Sequence, residues 1–236
     1  MEFFVRHRRR LLRALPLLTT VVLVSGCAGP LSTVDPAGPA ARDIATLWWV
    51  MLAGSLAILV LVLVLLALAF RRGRDPGAGD EARQERRWIV GLGLAFPVAV
   101  LLALLAYGLV IGERLLPRSG ADVVAVAAEA RRWEWSFSYD DAPGRSTLNV
   151  LHIPAGRPVA VAITTADVIH SFWVPRLAGK LDAIPGHVNV LRIEADAPGI
   201  YAGRSAEFSG VGYMDHAFTV VAHDAEAWQA FLGGAE

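Results

Sequence analysis

The chain has 236 residues, 55% hydrophobic and 19% charged, and its 22 cationic and 22 acidic side chains cancel. That is too apolar for an ordinary soluble domain, so membrane segments are expected; with no net basic charge, a nucleic-acid partner is not. The single cysteine, Cys27, excludes an internal disulfide and any centre that needs two thiolates from this chain.

Residues 1–26 read as a lipoprotein-type signal peptide. Arg6, Arg8, Arg9, Arg10 and Arg13 form a positive region, and an apolar run from Leu15 to Val24 follows. That run is shorter than the roughly 20 residues of a membrane span. Val24, Ser25 and Gly26 are small enough for a lipoprotein signal peptidase, which makes Cys27 the candidate lipidation site. Residues 27–47 then form an outer lead-in. Ala28–Ala41 is rich in Pro and Gly and reads as loosely ordered.

Residues 48–70 predict a transmembrane helix. At 1.5 Å per residue the run reaches about 35 Å, enough for the hydrocarbon core. Trp48 and Trp49 are placed at its outer end, as interfacial aromatics are. Residues 71–87 carry Arg71, Arg72, Arg74, Arg83, Arg86 and Arg87, which assigns this loop to the cytoplasm. Residues 88–112 predict a second transmembrane helix, with Pro97 tolerated inside it. The pair is a multi-pass hairpin with both ends outside.

From residue 121 to 236 the pattern changes to short alternating segments: Val123–Ala128, Trp133–Tyr139, Thr147–Ile153, Pro158–Thr164, His187–Glu194, Gly199–Glu207 and Ala217–Ala222. Their β-branched and aromatic content, with turn residues between them, predicts an all-β sandwich or barrel. Asp224–Leu232 predicts a terminal helix capped by Asp224.

Four motifs then carry a resemblance. They are Trp133–Tyr139, the Asp167-Val168-Ile169-His170-Ser171-Phe172 run ending at Pro175, the Gly179–Gly186 run containing Lys180 and Asp182, and the Gly203–His216 loop. In this order, after a two-helix hairpin, they resemble subunit II of the haem–copper terminal oxidases, the cytochrome c oxidase and quinol oxidase family. The resemblance implies a cupredoxin-like Greek-key domain on a two-helix transmembrane hairpin, in a bacterial inner membrane with the C-terminal domain on the periplasmic side.

In family members that accept electrons from cytochrome c, the loop holds a dinuclear copper centre through two cysteines, two histidines, a methionine and a glutamate. His170 matches the first histidine, and Glu207 matches the glutamate. Ser205 and Ser209 stand at the cysteine positions, Tyr213 at the second histidine and His216 at the methionine. Soft bridging thiolates are what that centre needs, so no dinuclear copper is expected in this chain. The family's quinol-oxidising branch has lost the same ligands and commonly carries a lipobox, which fits Cys27. The motifs around His170 and Asp182 look more like the cytochrome-c-type sequences.

The resemblance further implies haems and copper in a partner subunit I, a subunit III, membrane lipid, quinol as donor, and oxygen reduction coupled to proton pumping. Glu207 becomes a candidate ligand for an interface magnesium. Trp133, Trp135, Lys180 and Asp182 are candidate contacts to subunit I. The family's glutamate in the second helix is Val90 here, and Glu85 reads as a loop acid. His187 stands where the family has arginine. His170 and His216 fall close together if the fold holds, with Met214 and Asp215 nearby, and are candidates for a replacement mononuclear metal. His152, His187 and His223 have no informative spacing and read as surface residues. No nucleophile–base pair supports catalysis by this chain alone. Two other readings stay open: a cytochrome c oxidase subunit with an unusual electron entry route, and a stand-alone membrane-anchored cupredoxin-like binding or copper-delivery module.

Overall fold

A computed structural model describes residues 27–71, 81–117, 120 and 122–234. The signal segment before Cys27 and most of the arginine-rich loop lie outside the described residues. The chain divides into two compact units, Thr46–Leu116 and the combination of residues up to Ala45 with Pro117 onward.

Helix α1 spans Pro39–Arg71 and starts well before the apolar run. A short helix α2 (Glu81–Arg86) leads into a π-helical stretch, Arg87–Ala95, and then into α3 (Phe96–Leu115). The widened turns end where Pro97 begins. Proline has no N–H to donate, and its ring crowds the carbonyl four residues back. Inserting π-type turns before it relieves that crowding, and the N–H of Phe96 reaches back to the carbonyl of Gly91. Pro39–Arg71 and Arg83–Leu115 are each long and apolar enough to cross a membrane.

The other unit is a β-sandwich of two five-stranded sheets, the cupredoxin-like arrangement. Its strands are β1 (Val124–Arg131), β2 (Glu134–Tyr139), β3 (Ser146–Leu148), β4 (Val150–Pro154), β5 (Val159–Thr165), β6 (His170–Trp173), β7 (Lys180–Ala183), β8 (Asn189–Ile193), β9 (Gly199–Ser205) and β10 (Ala217–His223). One sheet runs β3-β2-β1-β5-β8 and the other β4-β10-β9-β6-β7. The pairs β1–β5 and β4–β10 are parallel. Alternate side chains of β5 and β10 are buried, as a strand with one face on a core requires. Between the sheets lie Trp135, Phe137, Leu151, Ile163, Phe172 and Phe218. Helix α4 (Ala225–Leu232) closes one end, with the Asp224 carboxylate accepting from the N–H of Ala227 and with Trp228 and Phe231 buried.

The structure corrects the strand reading in three places. Thr147–Ile153 is not one strand. Asn149 takes a left-handed φ of 57°, which asparagine tolerates better than most residues, and there the chain leaves one sheet for the other. The side-chain Oδ1 of Asn149 accepts from the N–H of Trp135 at 2.8 Å, and its own N–H donates to the Trp135 carbonyl at 2.7 Å. His170–Trp173 and Lys180–Ala183 are strands that their short length hid; they pair with His170 opposite Ala183 and Ser171 opposite Asp182.

The lead-in, read as loose, is tied to the sandwich. The N–H of Ala37 donates to Arg176 O at 2.7 Å, and Ala37 O accepts from the N–H of Asp196 at 2.9 Å. Arg176 pairs with Asp35 at 3.1 Å, and Arg42 makes a bidentate pair with Asp196. Gly38 passes so close that a Cβ there would lie 2.1 Å from Glu194 O. Backbone pairing fixes this segment, which composition could not reveal.

Candidate functional site

The β1–β2 turn, the start of β6 and the β9–β10 loop converge at one end of the sandwich. His170 opens β6, and His216 closes the loop just before β10. Both imidazoles are fully buried, with ring centroids 4.9 Å apart and planes at 86°. Trp133 meets both rings edge-on, at 6.5 and 6.1 Å. Trp135 stacks on His216 at 5.7 Å from inside the core. Gly210 and Gly212 both have positive φ and lie against Trp133; a Cβ on Gly212 would stand 3.3 Å from that ring. Glycine thus lets the loop close over the indole.

Backbone pairing fixes the loop ends. The N–H of Ser205 donates to His216 O at 2.9 Å, and Ser205 Oγ accepts from the N–H of Ser171 at 3.2 Å. Asp167 Oδ1 sits 2.9 Å from His170 Nε2. Burial acts to raise the Asp167 carboxyl, but hydrogen bonds from His170 and from the Val168 and Arg132 N–H groups outweigh it and hold it at about 2. The carboxylate is ionised at neutral pH and accepts, so His170 donates to it from Nε2. Burial, and then His170 beside it, push the His216 imidazole down, against a smaller pull from the Glu134 backbone. His170 Nδ1 and Ser209 Oγ have no hydrogen-bond partner, and the Glu134 backbone lies near His216 without making a hydrogen bond of good geometry.

The remaining sequence-selected residues scatter around this core. Ser209 is buried, while Tyr213 faces outward enough to pack its ring on Phe208, 5.3 Å between centroids. Glu207 is on the surface: its carboxylate accepts from the Phe208 N–H and lies 3.3 Å from Lys180 Nζ, and those two contacts hold it below its usual range. Asp182 is 3.9 Å from the same ammonium. Trp133 stays 37% exposed, but Trp135 is wholly inside the core and presents nothing to another subunit, which corrects its assignment as a contact. His187 bonds Asn189 at the surface. Cys27 is exposed. Among the described residues no cluster of three or more His, Cys, Asp or Glu could hold a metal ion.

The reading of His152 and His223 as unremarkable surface residues is also corrected. His152 Nδ1 and His223 Nε2 share a hydrogen bond of 2.8 Å. Phe231 stacks on His152 at 4.3 Å, and the Arg145 guanidinium lies over the Phe231 ring at 4.1 Å. A cleft of about 470 Å³ adjoins the pair. Burial, His223 and Arg145 push His152 down to about 4, and burial pushes His223 down as well. Adjacent strands far apart in sequence create this pairing, so no local signal could have found it.

Comparison with known proteins gives this architecture a family. Over 234 residues, 94% of this chain and 68% of the relative, it is 30% identical to cytochrome c oxidase subunit 2 of Alkalihalophilus pseudofirmus. The chain belongs to the cytochrome c and quinol oxidase subunit 2 family. It is also 30% identical to quinol oxidase subunit 2 of Bacillus subtilis, over 93% of this chain and 70% of that one. Residues 145–224 match the family described as cytochrome c oxidase subunit II, periplasmic domain. The solved periplasmic domain of subunit II of cytochrome oxidase from Bradyrhizobium japonicum is similar at 21% identity and a TM-score of 0.46, over 51% of this chain and 96% of that one.

As an oxidase subunit II, the chain is one part of an oxidoreductase complex with subunit I as its partner, and catalysis belongs to the complex. The residues present do not fit a dinuclear copper centre. Hydroxyls occupy both bridging positions, Ser205 Oγ already accepts a backbone hydrogen bond, and Tyr213 packs on Phe208. Serine at its ordinary ionisation is a hard, neutral oxygen and cannot delocalise an electron across two coppers as thiolate sulfur does.

Proposed function

We propose that this subunit II serves a proton-pumping terminal oxidase as a non-catalytic outer subunit, and that quinol delivers electrons directly to the haems of subunit I. Ser205 and Ser209 at the bridging positions carry this reading, because they leave no thiolate route through the chain. The β-sandwich then supplies a docking surface on the periplasmic side of a bacterial membrane, and the two apolar helices anchor it. Relatives named for cytochrome c and for quinol are both 30% identical to this chain, so identity alone does not choose the donor.

The experiment is oxygen uptake by the purified complex. Quinol should support turnover, and reduced cytochrome c should not. Turnover with cytochrome c refutes the donor and points to an unusual entry route. A chain that purifies without any haem protein refutes the complex. The proposal includes Glu207 as an oxygen ligand for an interface magnesium completed by subunit I, with Lys180 holding its carboxylate in the isolated chain. Unchanged magnesium or manganese in a Glu207→Gln complex sinks that part.

A further inference from the structure

The second apolar span holds a carbonyl that its own helix does not serve. A helical C=O takes the N–H four residues on in an α-helix, or five residues on in a π-helix. For Leu92 these are Phe96 and Pro97. The Phe96 N–H goes to Gly91 O instead, and proline has no N–H to give. Gly93 loses its α-helical donor to the same proline. Leu92 lies about 6 Å beyond Trp88 along a span apolar enough to cross a membrane. Hydrocarbon offers no water in place of the missing donor, so an open carbonyl at that depth is costly.

The chain's two apolar runs supply no replacement. Past Trp88 the one side-chain donor in this helix is Tyr107, about 20 Å further along. Trp88 sits a turn behind, and its side chain leans toward the helix N-terminus, away from where the carbonyl points. Between its outer tryptophans and Phe70, α1 offers only Ser55, whose hydroxyl already donates to Leu52 O at 2.9 Å. The arginines at the inner ends carry their charge toward the aqueous interface. A second copy of this chain brings the same residues, and acyl chains have no donor at all.

The surface beside Leu92 O is open. No residue of the π-helical stretch is buried. A Cβ on Gly91 would meet nothing within 4 Å, and one on Gly93 would meet only the Trp88 carbonyl, at 3.6 Å. Glycines at such positions let a neighbouring helix come close enough to reach the backbone, and polar side chains then bond across the interface.

We infer that Leu92 O, flanked by Gly91 and Gly93, is the docking point for a transmembrane helix of subunit I that presents a neutral donor, a hydroxyl or a side-chain amide. A charged donor at this depth would add its own desolvation cost. The inference takes from the family only that subunit I is the partner. The electron donor proposed above does not enter it, so either can fail without the other.

The test labels the full chain with carbon-13 at leucine carbonyls and nitrogen-15 in glycine. Leu92 and Leu232 are the leucines followed by glycine, so two doubly labelled peptide bonds report in solid-state NMR, and Gly93→Ala assigns Leu92 by removing its signal. Between the chain alone in phosphatidylcholine vesicles and the intact oxidase, the Leu92 carbonyl should move downfield as it gains a hydrogen bond. Pro97→Ala returns the N–H that an α-helix needs, and the shift on assembly should vanish. Gly91→Leu has room in the chain alone but blocks the approach, and the complex should lose subunit I at lower detergent. No movement of Leu92 on assembly, a shift undiminished in Pro97→Ala, a cross-peak from water to Leu92 in the intact oxidase, or a Gly91→Leu complex as resistant to detergent as wild type overturns the inference.

Discussion

Asn149 does two jobs that substitutions can separate. Its backbone sits at φ 57°, and its side chain accepts from the N–H of the fully buried Trp135. Asn149→Ala loses both. A Cβ-bearing residue that cannot bond locally costs about 1–2 kcal/mol in the left-handed region. Stranding a buried N–H costs about 1–3 kcal/mol more. The sum is roughly 2–5 kcal/mol. Asn149→Gly restores the backbone conformation and loses only the hydrogen bond, at an added entropic cost of about 0.5–1 kcal/mol in the unfolded chain. It should fall between wild type and alanine. Urea unfolding of the full chain in mild detergent, followed by tryptophan emission, gives the midpoints and slopes for all three. With unchanged slopes, the order wild type, glycine, alanine is expected. A glycine variant as unstable as the alanine one shows that the φ costs no more than the entropy glycine adds. An alanine variant within about 0.5 kcal/mol of wild type removes the reasoning altogether.

Other outcomes follow from the same geometry. His152 should titrate at about 4 by NMR, against an ordinary 6.5. Because its folded value is depressed, it does not affect stability above pH 6.5; stability should fall as pH drops from 6.5 towards 4 and this contribution should level off below that. A His152 resonance titrating above 6 refutes it. Gly38→Ala places a Cβ 2.1 Å from Glu194 O, so the lead-in must shift away from β8. Proteolysis before Pro39 should quicken. Cys27 should carry a thioether-linked lipid in chain isolated from bacterial membranes, and Cys27→Ser should lose that mass; an unmodified wild-type cysteine refutes the signal reading.

Much of this fold is written in patterns that a single sequence exposes. Apolar runs long enough for a bilayer and alternating β-branched stretches are local, and they led to the two helices and most strands. The Asp224 cap is equally local. What sequence hid depends on partners. Asn149 looks like a mid-strand residue until its φ is known. Strands of four residues, such as β6 and β7, show too little alternation to be read. The neighbourhood of His170 and His216 came from motif order, but the unpartnered Nδ1 of His170 and the Asp167 contact needed coordinates. Trp133 and Trp135 look equivalent in sequence, yet one covers the loop and the other lies in the core. The His152–His223 bond joins residues far apart in sequence through the parallel β4–β10 pair, so it left no local trace.

That parallel pair also has a consequence for biosynthesis. In the second sheet β10 lies between β4 and β9, although it follows every other described strand in the chain. Until residues 217–223 have been made, β4 has no neighbour in its sheet and β9 lacks one edge partner. Closing a sheet across such a sequence distance is slow, and the waiting edges are exposed while it happens. A chain that stops before residue 217 cannot seal this layer, so the strand that arrives late is the one that joins β4 to the rest of its sheet.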